Sequence, residues 1–123
     1  MVILLVDEDL GTQFSIWKLL KADGFTVQTA GDGKAALEVS RNYPGSIDLL
    51  LSDMSTRMGG LELCHCHTIA AERPGIKQLM MSVEVWGREQ ASTEGLPFLQ
   101  KPFSVTALRN SIAALLGPFP PLR

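Results

Sequence analysis

The sequence predicts an α/β domain: a doubly wound five-stranded parallel sheet with helices on both faces. Three observations carry that expectation. Near-continuous apolar runs at residues 2–6 and 47–52 suit strands buried on both sides. Strand-like and helix-like segments alternate along the chain, the pattern of repeated βα units. Charge also stands where three strands run out: Asp7-Glu8 after the first, Asp53 after the third and Lys101-Pro102 after the fifth. In an open α/β sheet, ligands bind beyond the carboxyl ends of the strands, so these distant groups are expected to converge on one site.

Each element has a local reason. Residues 2–6 are wholly apolar, and the segment after them carries Ile16, Leu19 and Leu20 at helical spacing before Gly24 stops it. Residues 25–29 alternate as a second strand, and Ala35-Ala36-Leu37-Glu38-Val39 is the body of a second helix ending before Pro44-Gly45. The third strand is 47–52, the third helix runs from 61 to about 71, and the fourth strand is 76–82, with Pro74-Gly75 as the break. A weaker fourth helix lies within 84–93, and a short fifth strand at 97–100 leads past Lys101-Pro102. The last helix takes Ser104 as its N-cap and Val105, Leu108, Ile112 and Leu115 as its apolar stripe, and Gly117-Pro118 ends it. One domain therefore covers residues 1–117, and 118–123 reads as a tail or the start of a linker.

Composition narrows the function classes. At 123 residues the chain is one domain by size, large enough to bury a core without disulfides or metals. A net charge of −2 with scattered Lys and Arg leaves no basic footprint, so direct binding of nucleic acid is not expected. No apolar run approaches the roughly 20 residues that span a bilayer, and the N-terminus lacks the basic region and cleavage site of a signal peptide. The expectation is a soluble, cytoplasmic domain making no membrane contact, whose parent protein is free to be membrane-anchored. Cys64 and Cys66, two apart on a helix, point to opposite sides and suit a reducing compartment. Cys64-His65-Cys66-His67 invites a zinc reading, but four consecutive helical residues spread around the axis; Cys64 is expected to be partly packed and the rest mostly exposed. Gly33-Lys34 resembles the end of a phosphate-binding loop, yet Gln28 stands in place of its first glycine and Ala35 in place of its hydroxyl residue.

The chemistry lies in the acids and the lysine. Asp7 and Glu8, joined by Asp53 from a neighbouring strand, offer hard oxygen ligands to a divalent cation that keeps several waters: Mg²⁺, with Mn²⁺ also suited. Without a cation the carboxylates repel one another and at least one pKa rises; with it they stay ionised and one oxygen can act as a nucleophile. A phosphoryl group on that oxygen needs its charge offset, which Lys101 from another strand end can do together with the metal.

On these motifs, from Val2 to Leu116, the chain resembles a receiver domain of two-component signal transduction, the response-regulator family. The resemblance implies a flavodoxin-like fold and a role for each match. Asp7 and Glu8 help to hold Mg²⁺, and Asp53 accepts phosphate from a histidine kinase or histidine phosphotransfer domain. Ser82 hydrogen-bonds the phosphoryl group, Lys101 pairs with it, and Phe98 changes rotamer with activation. The backbone carbonyl of Ser55 completes the metal shell, and Ser55 and Glu84 match the positions that tune phosphoryl lifetime. The domain would then be a phosphoacceptor whose own chemistry is limited to self-phosphotransfer and autodephosphorylation, and whose output is a changed surface of the fourth helix, fifth strand and fifth helix. Residues 95–103 are similar to receivers attached to hybrid histidine kinases.

Two departures from the family pattern stand out. Arg57 takes the place of a proline usual four residues after the acceptor, and Gly60 comes seven residues after Asp53 where the family has eight, so this loop is expected to be one residue short. Val83 exceeds the small residue common after the hydroxyl and is expected to narrow access to Asp53. Two other functions stay open at this point. One is a degenerate receiver acting only as a binding module. The other is a haloacid-dehalogenase-like phosphatase, whose first motif resembles Asp7-Glu8-Asp9-Leu10-Gly11-Thr12 and which would place the nucleophile at Asp7. Trp17, beside the first helix's stripe, is either the edge of the core or part of a partner-docking patch. The docking reading predicts that Trp17→Ala weakens phosphotransfer from the partner protein while leaving phosphorylation by a small phosphodonor unchanged; equal loss in the two assays would defeat it.

Overall fold

Five parallel strands alternate with five helices in the computed structural model, which describes residues 1–54 and 59–118. The strands are β1 (Val2–Val6), β2 (Thr26–Ala30), β3 (Leu49–Asp53), β4 (Lys77–Ser82) and β5 (Phe98–Gln100), paired in the order β2-β1-β3-β4-β5. Between and after them come α1 (Leu10–Ala22), α2 (Gly33–Asn42), α3 (Gly59–Glu72), α4 (Val85–Thr93) and α5 (Val105–Leu116). This is the expected doubly wound, flavodoxin-like sheet.

Successive side chains of a strand point to opposite faces, and the central strands supply both cores from unbroken apolar runs. Ile3, Leu5, Leu49 and Leu51 pack with Ile16 and Leu20 of α1 and with Leu108 and Ile112 of α5. On the other face Leu4, Val6, Leu50 and Met80 pack with Ala36 of α2, Ile69 of α3 and Ala91 of α4. Each such buried Leu, Ile, Val or Met side chain contributes about 1.5–3 kcal/mol relative to exposure. The winding reverses at β1, which lies between β2 and β3. The crevice for a ligand therefore opens beyond the carboxyl ends of β1 and β3.

The element boundaries differ from expectation where one hydrogen bond decides. Phe25, expected to open the second strand, donates its amide to Leu20 O at 3.1 Å and still closes α1; Thr26, donating to Met1 O at 3.0 Å, is the first residue of β2. Gly24 makes the turn between them at φ +94, a left-handed conformation that a side chain would strain. The third strand starts at Leu49 instead of Ile47, and Asp48 anchors its neighbour by accepting from Val2 N at 2.7 Å. Asp53 is thus the last residue of β3, within the strand and not after it. In α5, Ser104 caps the helix by accepting from Ala107 N, but Val105 is exposed; Leu108 and Ile112 carry the buried stripe. Trp17 packs half-buried against the α1–α5 core and stacks on exposed Phe14, with ring centroids 5.7 Å apart. Among the described residues no helix is long and apolar enough to cross a membrane. Residues 119–123, part of the expected tail, lie outside the described residues.

Candidate functional site

Three strand ends bring Asp7, Asp53 and Lys101 into contact. Asp7 leaves β1 fully buried, with its amide donating to Ala30 O at 3.1 Å. Its Oδ1 accepts from Asp9 N at 2.9 Å, and Gln13 Nε2 donates to both Asp7 O and Ala30 O, tying the exits of β1 and β2 together. Asp53, at the end of β3, is 4% exposed. From the sheet edge, Lys101 reaches across the end of β4 and places Nζ 2.8 Å from Asp7 Oδ2 and 2.8 Å from Asp53 Oδ2. The expected convergence of these three groups is observed.

The electrostatics follow from two carboxylates sharing one ammonium in a buried place. Burial pushes the Asp7 carboxyl above its ordinary value, and the charge of Asp53 adds to that; the hydrogen bonds from Lys101 and from Asp9 N oppose it. For Lys101 the largest single influence is burial, which disfavours the ammonium, yet the combined hydrogen bonds and charges of Asp53 and Asp7 outweigh it and hold the pKa above the usual lysine value. Glu8 is exposed and lines the mouth of a cleft of about 820 Å³ that also holds Asp53, Val83 and Lys101 and runs along Ile16, Leu19 and Phe103. Val83 is 54% exposed on that cleft. Asp9 and Thr12 cap α1: Asp9 Oδ1 accepts from Gly11 N at 3.1 Å and Oδ2 from Thr12 Oγ1 at 3.0 Å.

Ser82 ends β4 fully buried, and its Oγ accepts from Glu84 N at 2.9 Å. Phe98, one residue before buried Leu99, is half-buried, with the Arg88 guanidinium 5.0 Å from its ring centroid. The first turn of α4 comes close to both residues at Gly87. A Cβ there would stand 2.5 Å from Ser82 Cβ, 2.8 Å from Ser82 Oγ and 3.2 Å from Phe98 Cε1. Gly87→Ala is therefore expected to cost about 1–3 kcal/mol by overpacking, read as a lower urea midpoint, with NMR shifts concentrated at Ser82 and Phe98. A midpoint equal to that of the wild type would show that α4 yields freely here. Nothing in sequence spacing points to Gly87, because the constraint is a tertiary approach. Gln100, also missed, has its side-chain amide against the ends of β4 and β5.

Ser55 and Arg57, with the expected one-residue shortening around them, lie outside the described residues. The cysteine expectation needs correction. The pair does face opposite ways, but Cys66 is the buried member, its Sγ 3.6 Å from Ser52 Oγ, and Cys64 is exposed. The register of α3 on the sheet, unreadable from four consecutive polarizable residues, decides which one enters the core. His67 Nε2 lies 3.0 Å from Glu94 Oε1, joining α3 to the end of α4. Among the described residues no three His, Cys, Asp or Glu side chains are grouped to hold an ion; at the acid pocket the Lys101 ammonium bridges Asp7 and Asp53.

Comparison with known proteins gives this geometry a family. Residues 3–113 match the response regulator receiver domain. Response regulator MprA of Mycobacterium leprae is 35% identical over 121 residues, covering 94% of this chain and 51% of that protein. Sensor kinase CckA of Brucella abortus is 27% identical over 118 residues, covering 93% of this chain and 12% of that protein. The chain thus spans about half the length of the first of these curated relatives and a smaller part of the second. Among solved structures, a response regulator receiver protein from Burkholderia phymatum superposes with a TM-score of 0.81 at 24% identity, covering 98% of each chain, a likeness of fold. Because the matched segment runs from β1 into α5 and encloses all three strand ends, the chain belongs to the response regulator receiver domain family.

Proposed function

We propose that this domain accepts a phosphoryl group on Asp53 from a phosphohistidine of a histidine kinase or histidine phosphotransfer domain, and that the acyl phosphate switches its α4–β5–α5 surface. The observation that carries this reading is the buried Asp53 carboxylate held against Lys101 at a strand end that opens on the cleft. A carboxylate oxygen of Asp53 attacks phosphorus, the P–N bond to the imidazole breaks, and the histidine leaves with the electron pair. Lys101 stands where the transferred oxygens gather charge and is already charged at neutral pH. Ser82, on the adjoining strand end, is the hydroxyl that would turn from the Glu84 amide to the phosphoryl group, and Phe98 would answer on the same face.

The donor set suits a hard divalent cation. Buried Asp7 and Asp53, exposed Glu8 at the mouth and the Ser55 carbonyl would hold Mg²⁺ or Mn²⁺, whose charge when bound offsets that of the phosphoryl oxygens. The need to relieve the excess of carboxylate over ammonium at the pocket supports this assignment. A phosphohistidine donor also suits a cytoplasmic setting.

Incubation of the domain with Mg²⁺ and acetyl phosphate, followed by intact mass and peptide mapping, tests the reading. The expected result is one phosphoryl group on the peptide carrying Asp53. Absence of any gain while another receiver reacts in parallel would favour a binding module, and a phosphoryl group mapped to Asp7 would favour a phosphatase of the dehalogenase type.

A further inference from the structure

Gln100 makes a set of contacts that the acceptor chemistry leaves unexplained. It ends β5 in register with Ser82 of β4, and its side chain turns back over the strand ends. Its Nε2 lies 3.0 Å from Ser82 O, 3.3 Å from Val83 O and 3.0 Å from Lys101 O. All three partners are carbonyl oxygens, which only accept, so the amide must present its NH₂ and not its oxygen to them. Two N–H groups serve three acceptors, which makes at least one bond shared. Ser82 O accepts a further bond, from Lys101 N at 2.9 Å. The backbone that carries the hydroxyl and the backbone that carries the ammonium are thereby fastened at one point.

We infer that Gln100 is a positioning residue: its carboxamide clamps the exits of β4 and β5 so that Ser82 Oγ and Lys101 Nζ meet a phosphoryl group on Asp53 as one unit. The inference rests on the phosphoacceptor reading above. Backbone pairing supplies only one bond beyond the ladder, from Lys101 N to Ser82 O, before the chains run on into α4 and α5. The Gln100 amide reinforces that bond and extends the tie to Val83 O and Lys101 O. An apolar residue of similar size would fill the space and leave only the Lys101 N–Ser82 O bond between them.

The test compares the wild type with Gln100→Leu, which keeps volume but has no donor, and Gln100→Lys, whose ammonium can again donate to carbonyls. In the unphosphorylated domain, amide hydrogen exchange at Lys101 is expected to quicken about tenfold in Gln100→Leu, with core amides such as Leu50 unchanged as a check on folding. With Mg²⁺ and acetyl phosphate, the rate of Asp53 phosphorylation at saturating donor is expected to fall about tenfold with little change in the half-saturating concentration, the mark of groups misplaced in the transition state only. Gln100→Lys is expected to restore both. The inference is overturned if Gln100→Leu exchanges like the wild type, if exchange quickens without loss of rate, or if Gln100→Lys restores neither. A wild-type domain that takes no phosphoryl group at all would instead overturn the proposed function, and the exchange comparison would still decide whether the clamp exists.

Discussion

Asp53→Asn is expected to abolish phosphoryl incorporation and leave the domain folded. The amide is nearly isosteric but offers no anionic oxygen to attack phosphorus. Its neighbours are not stranded by the change: Lys101 Nζ keeps Asp7 Oδ2 at 2.8 Å as its ionic partner, and the amide oxygen can still accept. The pocket would even relax electrostatically, because the Asp53 charge is one of the influences that raise Asp7; without it the Asp7 carboxyl should titrate closer to its ordinary value. Intact mass after incubation with acetyl phosphate reads the first effect and thermal unfolding the second. A variant that still gains one phosphoryl group would move the acceptor elsewhere.

Lys101→Ala is expected to do the reverse damage, to stability as well as to chemistry. It leaves two buried carboxylates facing one another without their shared cation, and breaking a buried pair by removing one partner costs about 3–5 kcal/mol. The change should also turn the pH dependence of stability. In the wild type the Lys101 pKa is raised, so its contribution is full below the unfolded lysine value and lost only as pH climbs through the folded one. In the variant the dominant group is the Asp7 carboxyl, raised by burial with no ammonium to oppose it. Such a group contributes stability that is full below the unfolded aspartate pKa, about 3.9, and is lost as pH rises through the folded value. Urea unfolding across an acid-to-neutral pH series should therefore show the variant losing stability relative to the wild type as pH increases. A constant gap between the two proteins would mean that the carboxylates do not depend on Lys101.

Much of this was legible because the central strands are buried on both sides. Their apolar runs leave little choice of conformation, and the charges that end those runs mark where the backbone leaves the core. Asp7, Asp53 and Lys101 meet as expected because parallel pairing puts all their strand ends on one edge. Legibility fails where tertiary distance decides. Cys64 and Cys66 carry the same composition signal, and only the register of α3 sends Cys66 to Ser52. Phe25 looks like strand by residue type, but its amide remains committed to α1. Gly87 and Gln100 read as an ordinary helix glycine and an ordinary strand-end polar residue; what distinguishes them is the approach of α4 and the divergence of two chain segments, neither of which has a local sequence signature.

The bond from Lys101 to Asp7 joins positions 94 apart, nearly the whole span from the first strand to the last. Closing so long a segment directly carries a loop-closure cost, which docking of the intervening units reduces. A growing chain that has made β1 and β3 but not β5 already holds its two acids at neighbouring strand ends, with no cation of its own between them. Electrostatic completion of the pocket therefore waits on the last strand. On the proposed phosphoacceptor reading, competence to take a phosphoryl group would then require that the whole chain has reached its native topology.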